Sequence, residues 1–265
     1  EQNFCPGGTY WGKASGTCKC DAHGTCTSGT GQCACNADHF ALDYANYLIW
    51  EAQALAKMAN VLSLPDRVTY WTSLAANVTR EMDAYMWDEA SGMHYDLFPN
   101  GTRMAFKTVA ATYPLLTAGM NKTKIAMIVA NLQSQDFWTA VPVPTVAVST
   151  PDFSSDLDRG PMWEQQNFYI IRGLRQYGYD TLADKLKAVT LATVRTYYDK
   201  WGVVFEYYDA LNTTDPTQTL RKPRKQDAGR CISGIEGPAG HCGVGGIREY
   251  NFCAGLALLW LRGGE

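Results

Sequence analysis

The sequence predicts a mainly α fold, consecutive helical hairpins set as an arc of a toroid, behind a small disulfide-rich N-terminal module. Three observations carry this. Apolar residues recur at the helical period in at least five segments. Strand signals are nearly absent past residue 37. Six of the nine cysteines lie between Cys5 and Cys35, and none lies in the long middle stretch. The chain therefore divides into a module at 1–37 and a helical domain at 38–265.

In the module the spacing is C-x12-C-x-C-x5-C-x6-C-x-C, over Cys5, Cys18, Cys20, Cys26, Cys33 and Cys35. Zinc knuckles use paired C-x2-C ligands, which these C-x-C pairs do not supply, so a disulfide framework is the better reading. His23-Gly-Thr-Cys26 and Thr30-Gly-Gln-Cys-Ala-Cys35 resemble an epidermal-growth-factor-like or laminin-type repeat. Six cysteines allow 15 pairings, and the sequence leaves the connectivity open. Cys231 and Cys242 are read as a further disulfide pair, and the ninth cysteine is left over, free or bonded to another chain.

The first helix spans 40–62, with Leu42, Ala45, Leu48, Ile49, Ala52, Leu55, Ala56 and Ala59 on one face. Ser63-Leu-Pro65 breaks it, and Asp66 is placed to cap a second helix running to 86. Trp87-Asp-Glu-Ala-Ser-Gly92 reads as a turn, and Met93-His-Tyr-Asp-Leu97 as a short strand or extended arm. Helices are expected at 108–118 and 122–133. The stretch 141–151 carries three prolines and cannot be helix, because proline lacks the donor and drives its predecessor to extended geometry. A loop of that length between helices is usually functional. The fifth helix is expected to begin just after Pro161, a favourable first-turn proline, and to end at Gly178. Further helices are expected at 181–198 and 250–261. The polar stretch 212–246, with Arg221, Lys222, Arg224 and Lys225, reads as a solvated loop.

A net charge of −3 gives no electrostatic footprint for nucleic acid, and no apolar run approaches the roughly 18 residues of a membrane span. His39 and His94 lack the spacing of a metal pair, and no phosphate loop, dinucleotide fingerprint or nucleophile elbow occurs, so neither metal nor cofactor is expected. Asn77, Asn100, Asn121 and Asn212 each open an Asn-x-Ser/Thr acceptor. With the cysteine module they point to a secreted or lumenal glycoprotein. The chain starts on Glu1, which suggests a processed or partial product.

Two runs carry the chemistry: Asp158-Arg-Gly-Pro-Met-Trp-Glu-Gln-Gln-Asn167 and Val204-Phe-Glu-Tyr-Tyr-Asp209. The first sets an Arg, a Trp and amides at a helix mouth; the second places Glu206 among aromatic rings. Aromatic faces stack on sugar rings, amides and guanidinium groups bind hydroxyls, and a carboxylate beside them supplies acid–base catalysis. The bland reading is that Glu206 merely salt-bridges a loop and that Asp158 and Arg159 form a surface ion pair, worth under about 1 kcal/mol. Asp43 is read as orienting neighbouring loops. In each of the pairs Tyr197–Tyr198 and Tyr207–Tyr208, one ring is expected to face the cleft.

Further pieces are Asp43-Tyr-Ala-Asn-Tyr-Leu-Ile-Trp50, Met86-Trp-Asp-Glu-Ala-Ser-Gly-Met-His-Tyr-Asp96, Tyr113-Pro-Leu-Leu116, Arg172-Gly-Leu-Arg-Gln-Tyr-Gly-Tyr179 and Gly245-Gly-Ile-Arg-Glu-Tyr250. In their order and spacing these pieces and the two runs resemble the C-terminal half of the (α/α)6-barrel glycosidases of the trehalase and processing α-glucosidase group, glycoside hydrolase families 37 and 63. The resemblance implies half of an (α/α)6 toroid. It also implies inverting hydrolysis of an α-glucoside-type bond in a glycan or disaccharide. Glu206 falls on the family's general base. Arg159, Trp163, Asn167 and Tyr208 fall on the sugar-binding wall, and Arg248 or Glu249 closes it. The family's general acid lies in a Ser-Gly-Trp-Asp-like motif ahead of the helix at 40–62, and no such motif precedes that helix here. The expectation is therefore a second polypeptide carrying the N-terminal half and the acid, disulfide-linked or not. The alternative is a non-catalytic extracellular structural or carbohydrate-binding glycoprotein that retains the fold.

Overall fold

The computed structural model describes residues 40–151, 153–155, 159–219 and 251–263, together with five short strands between Phe4 and Ala34. The strands are β1 (Phe4–Cys5) paired with β2 (Thr9–Tyr10), and a three-stranded antiparallel sheet of β3 (Lys19–Cys20), β4 (Thr25–Ser28) and β5 (Gly31–Ala34). Its register sets Cys26 opposite both Cys20 and Cys33. The disulfides expected of Cys5, Cys18, Cys20, Cys26, Cys33, Cys35, Cys231 and Cys242 lie outside the described side chains, as do Asp158, Arg248 and Glu249.

The helical domain opens with α1 (Leu42–Val61) and α2 (Pro65–Tyr85), packed as a hairpin. Ser63 takes a left-handed turn at φ 56°, and Pro65 starts α2. Pro fits there because a first-turn N–H has no intrahelical partner anyway. Asp66 consequently sits inside the first turn rather than at the cap expected for it, since the proline already sets the helix start. The arm after α2 is a two-stranded hairpin, β6 (Trp87–Asp88) and β7 (Met93–His94). It buries His94, whose Nε2 meets Asp83 Oδ1 at 2.9 Å; Lys124 Nζ lies 3.1 Å from the other oxygen of that carboxylate. Burial lowers the His94 pKa, which keeps the ring neutral and fits the structural role expected of it. Asp96, just past the hairpin, accepts the Leu42 N–H at 2.6 Å. It supplies the α1 cap that Ala41 lacks.

The helix expected at 108–118 is a 3₁₀ segment, Val109–Leu116. Pro114 lies inside it and cannot donate to an α-helical ladder, which accounts for the change. Next come α3 (Lys122–Leu132), α4 (Glu164–Gln176) and α5 (Asp180–Trp201). A short 3₁₀ turn (Pro216–Gln218) and α6 (Asn251–Leu261) follow. Asn121 caps α3, its Oδ1 accepting from the Thr123 and Lys124 amides. Gly178, at φ 81°, terminates α4 as expected. The start of α4 differs: Trp163 is its N-cap, and Pro161 stays outside in extended backbone.

The helices pack as two rows. One runs α1, the 3₁₀ segment, α4, α6; against it stand α2 on α1, α3 on the 3₁₀ segment, and α5 on α4. One apolar core joins Leu42, Ile49, Met82, Leu115, Ile128, Ile170, Leu174 and Leu186. A second holds Val141, Met162, Val194, Phe205, Tyr208 and Ala257.

At Gly173, α4 crosses the 3₁₀ segment too closely for a side chain: an added Cβ would meet Leu115 Cβ at 2.5 Å and the Leu115 carbonyl carbon at 2.8 Å. In an open helix Gly→Ala gains about 1 kcal/mol. Here overpacking costs about 1–3 kcal/mol and the neighbour is backbone. Gly173→Ala should therefore lower the urea midpoint; a raised midpoint would show that the two elements are not in this contact.

Candidate active site

Four loops meet at the N-terminal end of α4, and each satisfies the others' backbone groups. Val109 N–H donates to Thr145 O at 2.8 Å and Ala147 N–H to Lys107 O at 2.8 Å. Thr145 N–H donates to Pro161 O at 3.2 Å, and Val141 N–H to Ala210 O at 2.9 Å. Met162 and Tyr208 exchange both bonds, at 2.8 and 3.0 Å. Buried backbone must find such partners, and the proline-rich 141–151 stretch finds them here.

Antiparallel pairing of Met162 with Tyr208 brings Trp163 onto Tyr207. The two rings stack, with centroids 5.3 Å apart and planes 25° from parallel. Glu206 is half-buried, between the fully buried rings of Phe205 and Tyr207. Asp209 locks the loop that follows. Its carboxylate accepts from the Ser155 hydroxyl, the Leu211, Thr213 and Thr214 amides and the Thr213 hydroxyl, at 2.8 to 3.1 Å. Burial alone would raise its pKa, but these donors hold it below the ordinary carboxylate value. Arg159 is half-buried, and its carbonyl accepts the Ser154 N–H at 2.8 Å. Gly160 permits that approach, since a Cβ there would lie 2.3 Å from Ser154 O.

Two residues assigned to the sugar wall have other tasks. Asn167 is fully buried; its amide donates to Pro142 O at 2.7 Å and Thr190 Oγ1 at 2.8 Å, while its oxygen accepts the Val143 N–H at 3.2 Å. It braces the proline-rich loop against α4 and α5, with no amide left for a ligand. Tyr208 is likewise sealed in the second core, its hydroxyl accepting the Phe205 N–H at 3.2 Å. Neither Tyr207 nor Tyr208 faces a cleft, contrary to the expectation for that pair. Tyr198 is exposed and Tyr197 is half-buried.

Glu164 is the residue the sequence did not single out. It is fully buried, and among the described residues its two carboxyl oxygens find no hydrogen bond of ordinary geometry. Burial pushes its pKa up to about 8, offset only in part by the neighbouring Cys253 thiol. That thiol, on α6, lies 3.6 Å from the Glu206 carbonyl and 3.7 Å from Gln165 Oε1; burial and Glu164 raise its own pKa. An acidic residue in a first helical turn is ordinary, so no sequence signal marked it. Further along the same row, Tyr47, Tyr113 and Tyr169 meet edge to face or tilted, and the Arg172 guanidinium lies 5.8 Å from the Trp50 ring centroid.

Residues 27–219 match the Mannosylglycerate hydrolase MGH1-like glycoside hydrolase domain. The chain belongs to this MGH1-like glycoside hydrolase family. The match begins inside the cysteine-rich stretch and ends past Asp209. Among curated relatives, the mannosylglycerate hydrolase of Thermus thermophilus is 30% identical over 122 residues, covering 43% of this chain and 29% of that protein. The cytosolic neutral trehalase of Saccharomyces cerevisiae is 27% identical over 158 residues, 55% of this chain and 20% of that protein. The crystal structure of the GH63 mannosylglycerate hydrolase from Thermus thermophilus in complex with glucose superposes with a TM-score of 0.62 at 21% identity. That superposition covers 83% of this chain and 45% of that one, so the MGH1-like chain spans less than half of the relative whose fold it shares. The fold is thus the mainly helical one of these glycosidases.

The buried acid has a measurable consequence. The folded state holds the Glu164 proton up to about pH 8, whereas an ordinary glutamate releases it near 4.5. Between those values the unfolded chain binds fewer protons, so this group's contribution to stability falls as pH rises. Glu164→Gln removes the titration. The variant should match the parent near pH 4.5 and exceed it by about 2–5 kcal/mol near pH 8, read from denaturant midpoints. A difference independent of pH would contradict the assignment.

Proposed function

We propose that this chain is the base-bearing half of an (α/α)6 toroid that hydrolyses an α-glucoside-type bond with inversion, with Glu206 as general base. The observation that carries the reading is the placement of Glu206: half-buried, between buried rings, on a loop pinned by the Met162–Tyr208 pair and by Asp209. Such a base can activate water only if it is held still. Inversion needs a second carboxyl about 6.5–9.5 Å away to protonate the leaving oxygen. Glu164 is protonated at neutral pH but fully buried, so it does not reach a leaving group. The general acid is assigned to an N-terminal half of the same fold, on a longer chain or a separate one. Trp163, backed by the buried Tyr207 ring, forms with Arg159 the part of the sugar wall contributed here, and Arg248 or Glu249 completes it. The substrate is a glycan or disaccharide.

A second reading is a non-catalytic extracellular structural or carbohydrate-binding glycoprotein, and one observation favours its structural form. Asn167 and Tyr208 are both consumed by the scaffold, which thins the set of residues able to grip a sugar. The secretory assignment belongs to either reading. Asn77, Asn100, Asn121 and Asn212 are all exposed, and glycosylation at the Asn121 amide nitrogen leaves its capping oxygen in place. The cysteine module is proposed to be disulfide-bonded.

In the protein completed by its N-terminal half, Glu206→Gln should lower turnover at least about a hundredfold while sugar binding is kept, since a positioned base contributes roughly 10²–10⁴-fold. The 265-residue chain alone should not cleave α-glucosides. Full activity in the Glu206→Gln protein, or good activity of the isolated chain, would overturn the assignment.

A further inference from the structure

Cys253 sits where α4, α6 and the loop carrying Glu206 meet. It lies in the first turn of α6, is fully buried, and its thiol is free. Its sulfur is 3.6 Å from the Glu206 carbonyl oxygen and 3.7 Å from Gln165 Oε1, both within reach of a thiol donor. The Glu164 and Gln165 amides face the same sulfur. First-turn amides have no partner within their own helix, and Trp163 at the N-cap of α4 supplies no side-chain bond to them. The Glu164 carboxyl neighbours the thiol without a hydrogen bond of ordinary geometry. A thiol carries one proton. The Glu206 carbonyl, Gln165 Oε1 and the Glu164 carboxyl therefore surround a single S–H. A neutral carboxyl leaves that proton to the other two, whereas an ionised one is the strongest acceptor of the three.

We infer that Cys253 and Glu164 are positioning residues for Glu206: the thiol ties the Glu206 backbone to the head of α4, and the Glu164 carboxyl decides whether that tie is kept. Both are fully buried, so neither touches a ligand. Fixing the carbonyl fixes the backbone from which the Glu206 side chain projects, relative to Trp163 at the N-cap of the same helix. Base and sugar-wall ring then share one rigid reference. Burial keeps Glu164 protonated up to about pH 8, so the S–H stays with the Glu206 carbonyl and Gln165 at neutral pH. Above that value the carboxylate draws the S–H to itself and the loop loses its tie. The titratable groups around Glu164 are Cys253 from α6 and Tyr208 from the loop, with Glu206 facing the thiol. Burial and the two carboxyls push the thiol up, and burial pushes the Tyr208 phenol up, so Glu164 ionises ahead of both. No residue of α6 is charged, and no cation among the described residues acts on Glu164. The inference rests on Glu206 as the general base but concerns how its loop is held.

The test is native-state amide hydrogen exchange on the 265-residue chain and three variants, Cys253→Ala, Cys253→Ser and Glu164→Gln. The Phe205 N–H, bonded to the Tyr208 hydroxyl, and the Tyr208 N–H, bonded to Met162 O, report the loop. The amides of buried Leu186 and Thr190 report α5. At pH 7, Cys253→Ala should speed exchange of the two loop amides at least about tenfold relative to the α5 pair. Cys253→Ser, whose hydroxyl replaces the donor, should restore them. In the parent, raising the pH to 9 should release the same two amides relative to α5, after correction for intrinsic exchange, and in Glu164→Gln it should not. Equal loss in loop and α5, no rescue by serine, or a loop that loosens at pH 9 in Glu164→Gln as in the parent would overturn the inference. In the protein completed by its N-terminal half, Cys253→Ala should lower kcat at least about tenfold with KM kept, and an unchanged kcat would also overturn it. The expected exchange pattern in an assembly that cleaves no α-glucoside would leave the tie standing and reject the hydrolase reading alone.

Discussion

The reciprocal pair of backbone hydrogen bonds between Met162 and Tyr208 is the contact on which the mouth of this domain depends. It joins the segment entering α4 to the segment leaving α5, which are more than forty residues apart in the chain. Met162 also faces Pro144, so a third segment hangs on the same rung, and Thr108 with Val146 adds a fourth. None of these loops has a sheet of its own. Each would otherwise carry buried, unpaired amides, at a cost comparable to a lost hydrogen bond apiece. Asn167 and Asp209 finish the arrangement with side-chain atoms where backbone partners run out. Arg159, Trp163 and Glu206 are therefore set by loop-to-loop bonding and only indirectly by helix packing.

That scaffold gives two carboxyls different surroundings. Glu206 stays half-buried on the paired loop, while Glu164, in the first turn of α4, is fully buried and held as the neutral acid. A fully buried acid held neutral is a mark of functional sites, because a protein selected for stability alone would replace it.

Much of the helical plan was legible in the chain. The period of 42–59 marks α1, the Ser63-Leu-Pro65 break its end, and Gly178 the stop of α4. The prolines of 141–151 correctly exclude helix there. Legibility ended where partners are remote. Pro161 looks like a first-turn proline, but its carbonyl is claimed by Thr145, which keeps the segment extended for two more residues. Asn167 looks like a sugar-binding amide, yet its partners Pro142, Val143 and Thr190 are more than twenty residues away in sequence. Tyr208 and Glu164 were hidden for the same reason, since register between loops has no local signal.

The central claim, that loop-to-loop backbone bonding fixes the site, is tested most directly by native-state amide hydrogen exchange. The Val141, Val143, Met162 and Tyr208 amides should exchange only by global unfolding, with the slow class of α4 and α5, although all four lie outside any helix. The Gly101 amide, bonded within an exposed turn, should exchange through local opening. If the four loop amides exchange as fast as Gly101, the loops are held by something other than this ladder and the account fails.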